Sequence, residues 1–215
     1  MKRKTLQSIV QFLVKHLTRT EFIGIENVPV SGGVIIAINH ISHIDTAVMF
    51  VNPRRPDITA LVTTKYLSNP FVKWFTITAE GIWIDRDIAD FTAIRKASEA
   101  LASGQALGIA PEGTRSKNAQ LQRGKPGTIM LAMKSGIPIV PVGITGTEDA
   151  LKKLSHLHRP HIVVRFGEPI ILPTFEPGHR SEELKRWTEI LMQRIAELLP
   201  ESYRGVYAEA VENKK

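Results

Sequence analysis

The sequence predicts an α/β protein with a largely parallel central sheet flanked by helices and an amphipathic helix at its N-terminus. Three observations lead there. Short apolar runs alternate with stretches whose apolar residues recur at helical spacing, the pattern of strands and crossover helices. The chain has 215 residues, 43% of them hydrophobic and 23% charged, enough for one domain with a substantial core. Two charged clusters fall just after predicted strands, at the edge where open α/β sheets place their sites.

The elements follow in order. Leu6, Ile9, Val10, Leu13 and Leu17 recur at helical spacing and predict an amphipathic helix over 5–18. Lys2, Arg3, Lys4, Lys15 and Arg19 accompany it, and no acid precedes Glu21. Such a helix either docks on its own domain or lies in a membrane interface with its basic groups at anionic headgroups. GVIIAI (33–38) reads as a buried strand, 43–51 as a helix, and DITALVT (57–63) as a strand followed by a helical stretch around 65–78. GIWI (81–84) is a short strand; 90–103 is helical, with Phe91, Ile94, Ala97 and Leu101 on one face. ALGIA (106–110) is a strand and 127–135 a helix; IVPVGI (139–144) and HIVVRFG (161–167) are strands. A closing amphipathic helix spans 180–199, carrying Leu184, Trp187, Leu191, Ile195 and Leu198. The expected division is a membrane-associating basic helix over 1–20, the main domain over 21–200, and a polar, frayed tail over 201–215.

Composition narrows the partners. The formal charge of +7 favours an anionic partner such as nucleic acid, an anionic membrane or a phosphorylated substrate. There is no cysteine, which excludes disulfides and thiolate zinc sites. Aromatic content is 7% and no familiar nucleic-acid module is present, which argues against nucleic acid. No apolar run reaches the roughly 18 residues of a spanning helix, and the N-terminal run is interrupted by Gln7, Ser8, Gln11 and Lys15, unlike a signal peptide. The expected location is the cytoplasmic face of a membrane, bound peripherally.

One stretch asks for chemistry. In AINHISHIDTAVMF (37–50) an apolar run stops at Asn39 and His40, His43 and Asp45 follow at once. On a continuous helix, residues 40 and 45 would diverge by roughly 140°. A turn between them changes that, and Ser42-His-Ile-Asp45 matches the S/T-x-x-D/E capping pattern. His40 then precedes the helix while Asp45 lies in its first turn, where the carboxylate can fold back onto the imidazole and make it a general base. Two other readings compete: Asp45 as a mere cap with His40 in a loop, and His40, His43 and Asp45 as metal ligands of a hydrolase. The metal reading lacks a fourth ligand from elsewhere. His43 is expected to face outward.

Other motifs accompany it. Gly81-Ile-Trp-Ile-Asp85-Arg86, Pro111-Glu112-Gly113-Thr114-Arg115-Ser116 and Ile137-Pro138-Ile-Val-Pro141-Val142 follow the H-x4-D of His40 and Asp45. Together these four, in this order, resemble the signature motifs of the glycerolipid acyltransferases, and most closely the 1-acyl-sn-glycerol-3-phosphate acyltransferases. The resemblance runs from about Glu21 to Val142 and implies a glycerol-phosphate-acyltransferase-like fold. It implies His40 and Asp45 as the catalytic pair, with no cofactor and no metal. It also implies Glu112, Gly113, Thr114, Arg115 and Arg86 as acceptor contacts, with Lys65, in Lys65-Tyr-Leu67 before Pro70, as a further phosphate ligand.

Chemistry supports part of that set without the family. Arginine grips phosphate through a planar fork, and Arg123 and Lys125 add charge to the Arg115 loop. That loop, 111–127, is long for a compact domain and has no clear periodicity, as functional loops often do. It is not a Walker A loop: Gly124-Lys125 is followed by proline, and Ala119 stands where the first glycine belongs. The implied reaction moves an acyl group from acyl-CoA or acyl-carrier protein to the free hydroxyl of 1-acyl-sn-glycerol-3-phosphate, giving phosphatidic acid, or acts on another lysolipid acceptor. A non-catalytic protein of anionic membrane surfaces is the remaining alternative.

Overall fold

The strand β2 (Val34–Ile38) is buried at every position, as five aliphatic residues in a row must be when a strand lies mid-sheet and is covered on both faces. In the computed structural model, which describes residues 1–88, 90–174 and 180–212, it lies between β5 (Ala106–Ile109) and β6 (Ile139–Thr145), parallel to both. With β1 (Arg19–Ile23), β3 (Thr59–Thr63), β4 (Ile82–Ile84) and β7 (His161–Phe166) they form a seven-stranded sheet ordered β1-β7-β6-β2-β5-β3-β4. Only the β6–β7 pairing is antiparallel, so β2 to β6 all end at the same edge.

Alternate residues of β2 serve opposite faces. Ile35 and Ala37 pack with the helices α4 (Phe91–Ala102), α5 (Gly127–Ser135) and α7 (Arg180–Glu197) through Leu101, Ile129, Leu191 and Ile195. Val34, Ile36 and Ile38 pack on the other face against Val48 and Met49 of α2 (His43–Phe50). The remaining helices are α1 (Arg3–Leu17), α3 (Pro70–Thr78), α6 (Ala150–Ser155) and α8 (Ala208–Glu212). Leu6 and Val10 of α1 are buried against Phe50 and Ala79, so the N-terminal helix sits over α2 and the end of α3.

Three features differ from the sequence reading. The first is β1, which runs across the expected boundary at residue 20 and pairs with β7 residue for residue, Arg19 opposite His161 to Ile23 opposite Arg165. RTEFI alternates in burial as an edge strand does, but it follows an amphipathic helix directly and its partner lies far along the chain. The second is α6, whose six residues are too few for a periodic signal. The third corrects the frayed tail. Tyr207 and Val211 are buried in the core with α7, and Leu121 of the long loop donates its N–H to the Tyr203 carbonyl (2.8 Å). Two apolar residues at the spacing of one helical turn suffice to dock a short polar segment.

Candidate active site

Each parallel strand delivers its successor residues to one edge: β2 to His40, β3 to Lys65, β4 to Arg86, β5 to Glu112 and β6 to Thr147. Asn39 fixes the first of these. Its side-chain amide donates to the Ile144 carbonyl (2.9 Å) and its oxygen accepts from the Ile144 N–H (2.7 Å), tying the end of β2 to β6.

The turn after Asn39 does what its sequence predicts and more. Ser42 caps α2, its Oγ accepting from the Ile44 N–H (3.2 Å). Asp45 Oδ2 accepts from the Ser42 N–H and the Ile41 N–H (2.8 Å each) and lies 2.9 Å from His40 Nδ1. Capping and imidazole orientation are thus one structure, because the same carboxylate oxygen serves both. Asp45 is fully buried and the His40 side chain is 19% exposed. With Nδ1 committed to Asp45, Nε2 is the ring atom left to accept a proton, and His40 lines a cavity of about 1160 Å³.

That cavity has two ends of different chemistry. Lys65, Arg86, Arg115, Lys117 and Lys125 line one part, with Asp87 as the single carboxylate among them. Arg86 donates to the Gly113 carbonyl rather than pairing with Asp85 or Asp87, and Arg115 donates to the Tyr66 hydroxyl (3.2 Å). Lys65 lies 3.3 Å from Asp87 with both side chains about two-thirds exposed, a pairing too well solvated to hold the ammonium strongly. Gly113 adopts φ +69°, a left-handed conformation, and a Cβ there would meet the Lys125 side chain at 3.0 Å. The other part is apolar. Val10, Val14 and Leu17 of α1 and Phe71 and Phe75 of α3 line it.

Of the residues expected at the site, His40, Lys65, Arg86, Gly113, Thr114 and Arg115 all line this cavity, while Asp45 sits behind His40. His43 is exposed, as expected, yet it borders the same space and meets the Tyr66 ring edge-on at 5.6 Å. Partial burial first, and then the nearby Arg115 and His40, hold its pKa below the usual imidazole value. Among the described residues no three His, Asp or Glu side chains are grouped as metal ligands.

Glu112 requires a correction. The resemblance implies it as an acceptor contact, but it is 2% exposed and does not border the cavity. Both its oxygens accept backbone N–H groups, Oε1 from His40 and Oε2 from Gln122 (2.9 Å each). It therefore fastens the long loop to the histidine turn, and the Ser116 N–H reinforces the join by donating to the His40 carbonyl (2.8 Å).

Burial pushes the Glu112 carboxyl from 4.5 up to about 7, outweighing the two amide donors. The sign follows by linkage. Between pH 4.5 and about 7 the folded protein keeps a proton that the unfolded chain has released, so stability falls as pH rises through that window. The contribution is fully present at low pH, and about 3 kcal/mol of it is lost above the folded pKa. Urea midpoints measured across this range should show that decline in the parent protein. Glu112→Gln should remove the corresponding part of the slope; equal slopes in the two proteins would contradict the assignment.

A family model described as "Acyltransferase" matches residues 19–145. The chain is 28% identical over 174 residues to a 1-acyl-sn-glycerol-3-phosphate acyltransferase of Bacillus subtilis, covering 80% of this chain and 84% of that one. It is 33% identical over 128 residues to a protein of the same name from Borreliella burgdorferi, covering 59% of this chain and 51% of that one. The crystal structure of the 1-acyl-sn-glycerophosphate acyltransferase PlsC from Thermotoga maritima shares the fold, with a TM-score of 0.64, 24% identity, and coverage of 88% of this chain and 79% of that one.

Proposed function

The chain belongs to the acyltransferase family, and from that membership and the geometry of the cavity we propose that it acylates the free hydroxyl of 1-acyl-sn-glycerol-3-phosphate to give phosphatidic acid. One observation carries the reading: a histidine with its Nδ1 held by a buried carboxylate stands in a cavity that is cationic at one part and apolar at the other. A lysophosphatidate has the matching halves, a phosphate for Arg115, Arg86 and Lys65 and an acyl chain for the apolar part. An acyl thioester supplies the second substrate.

His40 Nε2 takes the hydroxyl proton as the oxygen attacks the thioester carbonyl. Asp45 stabilises the resulting imidazolium. The tetrahedral intermediate collapses with loss of the thiolate, which recovers the proton from His40 and leaves as the free thiol. Arg115 positions the acceptor through its phosphate, so that attack proceeds from a near-attack geometry. Acyl-CoA and acyl-carrier protein present the same thioester, and either suits the cationic rim.

The outer surface suits a peripheral place on the cytoplasmic face of a membrane. No helix among the described residues is long and apolar enough to cross one. Phe12, Leu13 and Leu17 of α1 and Phe71, Trp74 and Ile77 of α3 are exposed, next to the basic N-terminus. Large apolar side chains beside lysines and arginines are the composition of an interfacial surface.

Product analysis by mass spectrometry tests the reading. Purified protein is supplied with long-chain acyl-CoA or acyl-carrier protein, and with lysophosphatidate or a zwitterionic lysolipid in anionic vesicles. Phosphatidate from lysophosphatidate with at least one donor is the expected result. Equal acylation of the zwitterionic lysolipid would overturn the acceptor assignment, and free fatty acid alone would overturn transfer.

A further inference from the structure

The buried carboxylate beside His40 has two oxygens with different duties. Oδ2 takes all of its donors from the local turn, namely His40 Nδ1, the Ile41 N–H and the Ser42 N–H. Oδ1 accepts from the hydroxyl of Thr147, a residue 102 positions away in sequence. Thr147 is fully buried and lies just past the end of β6. Among the described residues it is the one side chain from outside the turn that donates to Asp45.

The carboxylate torsion of an aspartate is broad and roughly two-fold, so a carboxylate held through one oxygen alone can swing about that bond. A donor on the second oxygen removes that freedom, and a buried charged acceptor gains more from it than a solvated one. We propose that Thr147 is a positioning residue: its hydroxyl, held between the end of β6 and α6, clamps Asp45 Oδ1 so that Oδ2 stays aimed at His40.

The segment carrying Thr147 is itself well fixed. Gly146 adopts φ +82°, and a Cβ there would stand 2.0 Å from the His161 carbonyl oxygen, so this approach to β7 is open only to glycine. On the far side, Glu148 accepts from the Tyr203 hydroxyl (2.5 Å), and the Ala150 N–H donates to the Thr147 carbonyl (3.3 Å). Thr147 is thus anchored to β7, to the C-terminal segment and to α6 before it reaches Asp45. A merely structural threonine would not need its hydroxyl placed on the carboxylate that orients the base.

The inference rests on His40 being the base, and the test separates the two. Thr147→Val keeps shape and removes the hydroxyl; Thr147→Ser keeps the hydroxyl. Removing part of the alignment of a base worth about 10²–10⁴-fold should lower kcat about tenfold in Thr147→Val, with KM for both substrates within about twofold. Thr147→Ser should retain most of the parent kcat. A proton NMR spectrum should show the low-field His40 Nδ1–H resonance in the parent and in Thr147→Ser, and its displacement or broadening in Thr147→Val. This readout needs no turnover and applies to any variant that folds. Parent-like kcat and an unmoved resonance in Thr147→Val, with His40→Ala inactive in the same assay, would overturn the role of Thr147 alone. An active His40→Ala would instead overturn the base on which it rests. If Thr147→Val does not fold, a Thr147→Ser protein with kcat reduced as far as tenfold and a displaced resonance would equally overturn it, because the hydroxyl is still there.

Discussion

His40→Ala is expected to abolish acyl transfer while leaving a folded protein. A positioned general base contributes about 10²–10⁴-fold. His43 borders the same cavity but lacks the carboxylate partner that orients His40. Folding should survive for a reason visible in the hydrogen bonds. The ties between the histidine turn and the long loop run through the His40 backbone, its N–H to Glu112 and its carbonyl from Ser116, and alanine keeps both. Asp45 loses one donor and retains the Ile41 and Ser42 N–H groups and the Thr147 hydroxyl. Circular dichroism and a melting curve check the fold, and single-turnover product formation checks the chemistry. Retained turnover in a folded variant would remove His40 as the base.

Arg115→Ala is expected to weaken use of the phosphorylated acceptor by about 10- to 150-fold in kcat/KM, the equivalent of about 1.5–3 kcal/mol for hydrogen bonds to a charged group. Most of it should appear in KM for the acceptor, with KM for the thioester unchanged. Arg115→Lys should fall between, because an ammonium keeps the charge but not the planar fork. The informative control is an acceptor without phosphate, a monoacylglycerol, whose poor reaction should be the same in the parent and the variant. If the loss were equal with and without phosphate, Arg115 would act on the loop and not on the substrate. Arg86 donates to the Gly113 carbonyl and so shares in holding the loop, which makes Arg115 the cleaner probe of the phosphate.

Much of this is legible in the sequence, for local reasons. The strand and helix alternation lies in hydrophobic periodicity, which neighbouring residues carry by themselves. The meeting of His40 and Asp45 was readable because they are five residues apart and a capping serine sits between them. Their contact is a consequence of helix initiation, not of the distant fold. The cationic residues were readable as residue types, and their convergence followed from strand ends sharing an edge.

Other features had no such signal. Glu112 looks like a substrate ligand in a loop of polar residues, and only the approach of His40 and Gln122 turns both its oxygens inward. Thr147 is one of many threonines in the chain until β6 is placed beside β2 and its successor reaches Asp45. The edge strand β1 needed β7, and the C-terminal segment needed the Leu121 loop, before either could be distinguished from flanking chain. The amino-acid order alone therefore determined most of the elements, the histidine turn and the charge of the site, since these depend on short-range hydrogen bonds and side-chain chemistry. Tertiary structure alone decided which polar groups are consumed in holding the site and which stay free to meet a substrate. That division depends on which strands become neighbours, and long-range pairing is set by the burial of whole faces and not by any one residue.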